Sequence, residues 1–310
     1  MYYKKRSRKK ALGYRLAPLE GGAISEADRK KVTIRDLQEM KERSERIVAL
    51  GVYDSPMAAW ADAVGFEIFV IGNSGPMSLF GHKGSTTVKP DELLFMTRAV
   101  SRVTEFALIV ATMPYMSYVA SREEAVRTAA WLVSEGGADC VQCHGNLQTA
   151  EFIAAITGAG VPVYAHLGLQ SVRKTEQSGY GAKGKNAHDA KRIVDEARAM
   201  VDAGVFAIML EHVPVELTQY IRDLVPVPVI SLGSGPEADG IYLVSADLVG
   251  YSVFRKPVNA GQFADVKPVI EEALQAYASR VRAGQYPTDD QTRHMDAKEL
   301  DDFKKLIEEV

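Results

Sequence analysis

Short apolar segments recur along the whole chain, and most of them are continuously apolar rather than alternating apolar and polar. They are rich in valine and isoleucine, which is typical of strands buried on both faces of a parallel sheet. The pattern therefore predicts eight parallel strands. They are expected at residues 47–53, 66–73, 107–113, 138–144, 161–168, 206–213, 227–235 and 247–251.

Segments with helix signals separate these strands. Residues 121–137 begin at Ser121, with Glu124 three residues later as a capping box. Asn186 can cap a second helix, and Pro90 can begin a third. The regular alternation predicts an α/β fold, a (β/α)8 TIM barrel, in which helices surround the closed sheet. A doubly wound open sheet shares the alternation and is the alternative.

The chain is expected to divide into three parts. Residues 1–30 begin with MYYKKRSRKK and are predicted to form a flexible basic arm, either solvated or in contact with an acidic partner or subunit. Residues 31–260 form the barrel, and a helix at 33–46 leads into it. Residues 261–310 are predicted to form extra C-terminal helices packed on the barrel, at 262–283 and 296–309.

Composition narrows the classes of partner. The 310 residues are 46% hydrophobic and 25% charged, with a formal net charge of -3, so neither nucleic acid nor a membrane is expected as the main partner. No segment approaches the roughly 20 apolar residues that span a bilayer. Two cysteines in a chain of this length favour a reducing, cytoplasmic location.

Both cysteines lie in ADCVQCHGN (residues 138–146), whose Cys-x-x-Cys-His pattern also occurs in haem attachment sites, redox dithiols and half zinc sites. On an extended strand, the Cα atoms of Cys140 and Cys143 would be about 10 Å apart, beyond the roughly 7 Å limit of a disulfide. Their side chains would also face opposite ways. We therefore expect two buried thiols, with Gln142 and His144 sharing one face of the strand end.

Polar side chains follow most of the predicted strands. Because the carboxyl ends of parallel strands form one rim, where barrel active sites are built, these residues predict a polar small-molecule site. Glu211 follows the apolar segment FAIML and is suited to proton abstraction. The loop at residues 169–185 carries three glycines and is a candidate lid. The rim residues are Asp54, Asn73, Ser74, Thr112, Gln142, His144, His166, Glu211 and Ser234.

Taken singly, several rim residues have ordinary structural explanations. His166 could bond a backbone carbonyl, Asn73 could cap a turn, and Thr112 could pack as a small β-branched side chain. The lid segment GYGAKGK lacks the spacing of a phosphate-binding loop. The functional prediction therefore depends on the convergence of these side chains in one mouth.

Motifs in a fixed order give the chain a family resemblance. VYDSPMA, VIGNSGPM, GHKGSTTVKPDEL, MPYMSY, AHLGL, GYGAKGK, LEHVPVEL and VISLGSGPEADG occur between residues 32 and 287. With these motifs the sequence resembles the ketopantoate hydroxymethyltransferases, barrel enzymes of the phosphoenolpyruvate mutase/isocitrate lyase superfamily. The resemblance implies the same barrel and assembly into a homo-oligomer.

The resemblance also implies a chemistry. In the family a divalent metal, usually Mg²⁺, holds a 2-oxo acid through its carboxylate and keto oxygens. A glutamate removes a proton from the adjacent carbon, and the resulting enolate attacks the methylene group of 5,10-methylenetetrahydrofolate. By position in the motifs, Glu211 matches this base, His166 matches the histidine of HLGL, and Ser74 matches a serine that contacts the substrate carboxylate.

The chain departs from the family at the metal site. The family has aspartate at the positions of Asn73 and Thr112, and its K-[LI]-E-G-G segment reads QCHGN here. Its metal-binding acids therefore become Asn73, Thr112 and His144, and its substrate-contacting lysine becomes Gln142. Mg²⁺ prefers anionic oxygen ligands, so a tight Mg²⁺ site is not expected. Zn²⁺ held by His144, His166 and Glu211 is one alternative; the favoured one is an oxyanion bound directly by His144 and Gln142.

We therefore expect an enzyme that makes or breaks a carbon–carbon bond next to the carbonyl of a 2-oxo acid through an enolate. Hydroxymethyl transfer to 3-methyl-2-oxobutanoate is one form of this reaction. The alternatives are a metal-independent lyase of the same superfamily and a catalytically silent ligand-binding barrel. The predicted catalytic residues are Glu211, His166 and His144, and the predicted substrate-binding residues are Asn73, Ser74, Thr112, Gln142 and Ser234.

Overall fold

A closed barrel of eight parallel strands forms the centre of the molecule. The computed structural model describes residues 30–254, 257 and 260–308, so all but the last residue of the predicted basic arm lies outside it. The strands pair in sequence order and close from the last to the first, which confirms the (β/α)8 barrel over the open sheet. They are β1 (Ile47–Gly51), β2 (Ile68–Ile71), β3 (Leu108–Thr112), β4 (Cys140–His144), β5 (Val163–Gly168), β6 (Ala207–Glu211), β7 (Val229–Leu232) and β8 (Gly240–Val244).

Helices connect the strands and extend beyond the last one. They are α1 (Ile34–Glu42), α2 (Ser55–Val64), α3 (Ser74–Phe80), α4 (Pro90–Ser101), α5 (Arg122–Ser134), α6 (Ala150–Gly158), α7 (Ala187–Asp202), α8 (Val215–Leu224), α9 (Ser245–Val249), α10 (Lys267–Arg282) and α11 (Ala297–Glu308). The predicted caps are present, since Ser121 and Asn186 accept backbone N–H bonds at the starts of α5 and α7. Within the described residues, no helix has the length and apolarity to cross a membrane.

The eighth predicted strand was misplaced. Residues 247–251 overlap α9, and the true β8 lies upstream at Gly240–Val244. This strand is only partly buried: Ile241 on its outer face is exposed. The segment GIYLV at 240–244 is itself continuously apolar, so the strand signal was present in the sequence, upstream of the predicted position.

The barrel strands send alternate side chains into two separate apolar layers. Cys140 belongs to the cluster that fills the barrel, and Cys143 belongs to the outer cluster beneath the helices. Both thiols are free and buried, and burial raises the pKa of each well above its usual value. The prediction of two buried thiols on opposite faces of the strand is confirmed.

The two C-terminal helices bury no side chain within the single chain. Their large apolar residues remain exposed instead. The predicted packing of these helices on their own barrel therefore finds no support in the burial of their side chains, and the three-part division of the chain stays a prediction. The exposed apolar residues are Val269, Ile270, Leu274, Tyr277 and Val281 on α10, and Leu300, Phe303, Leu306 and Ile307 on α11.

A buried carboxylate on α2 supports the start of β3. Asp62, 4% exposed, accepts hydrogen bonds from the backbone N–H groups of Glu105, Phe106 and Ala107. Asp62→Ala leaves these donors without that acceptor, so we expect a loss of about 2 kcal/mol in unfolding free energy. Urea denaturation measures this, with Asp62→Asn as the control that keeps one acceptor oxygen; equal midpoints for wild type and Asp62→Ala would contradict the expectation.

Candidate active site

A cavity of about 1060 Å³ opens at the carboxyl ends of the strands. In a parallel barrel this is the end at which the rim residues of all eight strands meet. Seven of the eight predicted catalytic and substrate-binding residues line it. They are Asn73, Ser74, Thr112, Gln142, His144, His166 and Glu211.

Ser234, the eighth, does not line the cavity. Its side chain is buried: the hydroxyl donates to the carbonyl oxygen of Leu210 at 2.8 Å and accepts from the N–H of Val213 at 3.1 Å. These bonds connect the turn after β7 to the end of β6. The prediction that Ser234 binds substrate is therefore not supported, because the hydroxyl is committed to the backbone.

Two histidines lie side by side at the ends of β4 and β5. His144 and His166 are register neighbours, and their rings stack with centroids 4.7 Å apart. Burial, followed by the charges of His166 and Arg173, lowers the pKa of His144 well below its usual value. A neutral imidazole has one N–H donor and one acceptor nitrogen, so His144 can donate a hydrogen bond without carrying charge.

Glu211 ends β6 beside His166. The carboxylate Oε2 lies 2.8 Å from Nε2 of His166, and the Glu211 side chain is 21% exposed while that of His166 is 8% exposed. The contact does not have the geometry of a hydrogen bond, and both ring nitrogens of His166 lack such a partner among the described residues. A carboxylate at the cavity wall beside an unsatisfied imidazole forms a candidate acid–base pair.

Backbone contacts with the end of the neighbouring strand β5 hold Glu211 in place. The N–H of Leu169 donates to the carbonyl oxygen of Glu211 at 2.8 Å, and Gly168 is the register partner of Glu211. Gly168 has a positive φ of 84°, which a residue with a Cβ adopts only at a cost.

Thr112 and Gln142 form a pair on β3 and β4. The hydroxyl of Thr112 donates to Oε1 of Gln142 at 2.8 Å. Nε2 of Gln142 is 3.7 Å from the sulfur of Met209, a weak acceptor. The Gln142 amide is thereby oriented, and among the described residues no strong acceptor binds its N–H groups.

Asn73 follows β2, and within the described residues its buried Oδ1 has no hydrogen-bond partner. The side chain is 7% exposed and makes no capping bond to α3. A buried carboxamide without a partner costs free energy, so this position is suited to a ligand that supplies one.

Two tyrosines that the sequence analysis missed support Ser74. The hydroxyls of Tyr53 and Ser74 form a short hydrogen bond, and burial raises the pKa of Tyr53 to about 12. Tyr242 lines the cavity from β8. Tyr53 lies two residues after β1, inside the apolar segment predicted as the first strand, and Tyr242 was hidden by the misplacement of β8.

The predicted lid lies beside the cavity. Leu169, Ser171 and Tyr180 from this loop are among the lining residues. The hydroxyl of Ser85 donates to that of Ser171 at 2.7 Å and thereby links the loop to the segment before α4. Closure of the loop over a ligand stays a prediction.

The donor set does not fit the metal that the family resemblance implies. Asn73, Thr112 and His144 offer two neutral oxygens and an imidazole, whereas Mg²⁺ is bound mainly through anionic oxygens. Among the residues that the structure describes, no group of three histidine, cysteine or carboxylate side chains is placed to hold a metal ion. This finding gives the alternative zinc set of His144, His166 and Glu211 no support.

Comparison with known proteins gives a consistent family and fold. Residues 31–289 match the family model described as ketopantoate hydroxymethyltransferase. The chain is 38% identical over 261 residues to the 3-methyl-2-oxobutanoate hydroxymethyltransferase of Moorella thermoacetica, covering 84% of this chain and 97% of that protein.

Solved structures share the barrel at low sequence identity. A 2,3-dimethylmalate lyase of the PEP mutase/isocitrate lyase superfamily superposes with a TM-score of 0.54 at 19% identity, covering 89% of this chain and 98% of that one. A phosphonopyruvate hydrolase in complex with oxalate and Mg²⁺ gives 0.53 at 12% identity, covering 88% and 95%. The family model and the close relative together establish that this chain belongs to the ketopantoate hydroxymethyltransferase family.

Proposed function

We propose that this enzyme forms a carbon–carbon bond at the carbon next to the keto group of a 2-oxo acid, as a hydroxymethyltransferase acting on 3-methyl-2-oxobutanoate. The observation that carries the proposal is the carboxylate of Glu211, 2.8 Å from His166 at the wall of the cavity. The relative from Moorella thermoacetica is named for this substrate.

Glu211 is the proposed base. Its carboxylate takes the proton from the carbon next to the keto group, and the electron pair of that C–H bond moves to the keto oxygen to give an enolate. The enolate carbon then bonds to a one-carbon unit at the oxidation level of formaldehyde. With 5,10-methylenetetrahydrofolate as donor, one water supplies the new hydroxyl group and tetrahydrofolate leaves, so the exchange balances.

The other residues have supporting roles in the proposal. His166 lies within contact distance of Glu211 and can exchange a proton with it during turnover. His144 and Gln142 donate to the developing enolate oxygen, and Ser74 contacts the substrate carboxylate. The cavity of about 1060 Å³ is large for a small 2-oxo acid alone, and it therefore leaves room for a second substrate.

Deuterium exchange tests the proton abstraction directly. The enzyme is incubated with 3-methyl-2-oxobutanoate in D2O without any one-carbon donor, and the C3–H signal is followed by proton NMR. We expect enzyme-dependent loss of this signal, followed by hydroxymethylated product when the folate donor is added. An enzyme that binds the acid but exchanges no proton would instead be a silent barrel; exchange without product would indicate the lyase alternative.

We also propose that the chain assembles with copies of itself. Val48 on β1 and Ile241 on β8 are register neighbours on the outer face of the barrel, and they are 44% and 43% exposed. On the other strands the corresponding outward residues are buried: Phe69, Ile109, Val141, Ala165, Ile208 and Val229. Among the described residues, Val48 and Ile241 thus form an exposed apolar strip on the outer face of β1 and β8.

Helix α10 carries an exposed apolar face, as the β1–β8 strip does. Ile270, Leu274, Tyr277 and Val281 recur at helical spacing and are all exposed. In a (β/α)8 barrel, helices cover the outer face of the strands. We place the apolar face of α10 from one copy over the β1–β8 strip of another.

We also propose that the enzyme works in the reducing cytoplasm, where its free thiols persist.

A charge on the apolar face of α10 tests this assembly. We expect wild type to run as an oligomer in size-exclusion chromatography with light scattering, and Leu274→Asp to shift it towards a monomer at micromolar concentration. Glu272→Gln, on the same helix, serves as the control and should leave the mass unchanged. A monomeric wild type, or an oligomer indifferent to Leu274→Asp, would exclude this interface.

A further inference from the structure

The cavity wall formed by β2, β3 and β4 carries no formal charge. It is lined by Asn73, Thr112, Gln142 and His144, which are between 1% and 7% exposed. Two of these are carboxamides, one is a hydroxyl and one is an imidazole, and none of them carries a fixed charge. Such a wall does not supply the negative charge that a divalent cation requires, but it is rich in hydrogen-bond donors.

Gln142 is oriented as a donor. Because its Oε1 accepts the hydroxyl of Thr112 at 2.8 Å, its N–H groups are turned elsewhere, and their nearest partner is the sulfur of Met209 at 3.7 Å. A thioether is a weak acceptor. An oxygen anion in the cavity would replace that contact with a stronger one.

Asn73 and the adjacent backbone form an open cradle. The Asn73 Oδ1 is buried without a partner in the described part of the chain, so no hydrogen bond through this oxygen fixes the amide, and its N–H groups can face the cavity that Asn73 lines. A Cβ at Gly72 would lie 3.6 Å from the hydroxyl of Thr112 and 3.7 Å from that of Ser74. The lack of a side chain at Gly72 therefore leaves space between two hydroxyls for a ligand oxygen.

Gln170 supports the backbone next to this wall. Its Nε2 donates to the carbonyl oxygens of Gly145 and His166 at 2.6 and 3.0 Å. Its Oε1 accepts from the guanidinium of Arg173 at 3.3 Å, and Arg173 is itself paired with the carboxylate of Glu176. Gln170 thereby helps to hold the end of β4, which carries His144, in position.

We infer that this site binds the carboxylate and keto oxygens of its 2-oxo acid directly, on the N–H groups of Gln142, His144 and Asn73, in place of a divalent cation. The inference rests on the proposed function for the identity of the substrate. Neutral donors suit this task because the enolate adds negative charge, and a buried hydrogen bond to a charged group is among the stronger ones. The family's metal site would have become an oxyanion site.

Oxalate is the probe, because this planar dianion presents two adjacent pairs of oxygens, as an enolised 2-oxo acid does. Metal content of the purified protein is measured by mass spectrometry, and oxalate binding is measured by calorimetry with excess EDTA and with excess Mg²⁺. We expect no stoichiometric divalent metal and dissociation constants that agree within about twofold. Binding that requires Mg²⁺ or a co-purified metal would overturn the inference, as would no binding under either condition.

Variants separate the donors from the overall fold. Gln142→Ala and His144→Ala should each weaken oxalate binding by about tenfold or more in EDTA, the size expected for loss of a hydrogen bond to an anion. The exposed His294→Ala is the matched control and should bind oxalate as wild type does. Unchanged affinity in both cavity variants would contradict the assignment of the donors.

Restoring the family's metal-binding acids should make oxalate binding depend on Mg²⁺. Asn73→Asp, Thr112→Asp and His144→Glu together should make oxalate binding at least tenfold tighter with Mg²⁺ than with EDTA. If this variant does not fold, the wild-type comparison still decides the inference. Oxalate binding requires no turnover, so it tests this inference separately from the proposed function. Metal-free oxalate binding without any deuterium exchange would support this inference and reject the proposed function. Deuterium exchange that depends on Mg²⁺ would support the proposed function and reject this inference.

Discussion

Glu211→Gln is expected to slow deuterium exchange at C3 of 3-methyl-2-oxobutanoate by about 10²- to 10⁴-fold, the usual contribution of a positioned general base. Glutamine has nearly the size of glutamate but cannot accept a proton as a carboxylate does. The side chain is at the cavity wall rather than deep in the core, so the fold should tolerate the change. Proton NMR in D2O measures the exchange rates of wild type and Glu211→Gln under the same conditions.

Two further measurements make this result specific. Glu216→Gln, at an exposed position on α8, is the matched control and should exchange at the wild-type rate. Oxalate affinity of Glu211→Gln should stay within a few fold of wild type, because the proposed anion donors lie on β4 and directly before α3. If Glu211→Gln retained full exchange, another group would have to be the base, and the proposed reaction would lose its central step.

The barrel itself could be predicted because most of its strands have one simple property. Strands such as β2 and β3 are buried on both faces, and this burial gives nearly continuous apolar segments, which are visible in the sequence. The strand β8 carries the same signal in GIYLV, and the apolar segment that follows it forms α9 instead of a strand.

The location of the polar rim residues could be predicted from the sequence, but their hydrogen-bond partners could not. Strand parity placed Gln142 and His144 on one face, and the structure places both at the cavity. Parity could not reveal that Ser234 bonds to the backbone, since a residue after a strand can turn either way. Nor could it indicate that Tyr53 supports Ser74, because a tyrosine in an apolar segment usually belongs to the core.

Gly168→Ala is expected to damage both stability and catalysis. A Cβ at this position would lie 2.3 Å from the carbonyl oxygen of Glu211 and 2.8 Å from Cγ1 of Val213, and φ is 84°. Relief of the clash requires the end of β6 to move, and Glu211 moves with it. We expect about 2–4 kcal/mol lower unfolding free energy from strain and overpacking combined, and about 10- to 100-fold slower exchange from misplacement of the base.

Two other glycines in the same region separate the effect of backbone strain from the effect of the steric clash. Gly179 has a φ of 103° but nothing within 4 Å of a Cβ, so Gly179→Ala should cost only the backbone strain, about 1 kcal/mol. Gly181 has neither feature, and Gly181→Ala should match wild type in urea denaturation and in exchange rate. If Gly168→Ala lost no more stability than Gly179→Ala and kept its exchange rate, the close approach of β5 to the backbone of Glu211 would not be what positions the base. A larger loss of both properties at Gly168 alone would show that the proton acceptor is held by main-chain packing between two strands, independently of the residues that bind the substrate.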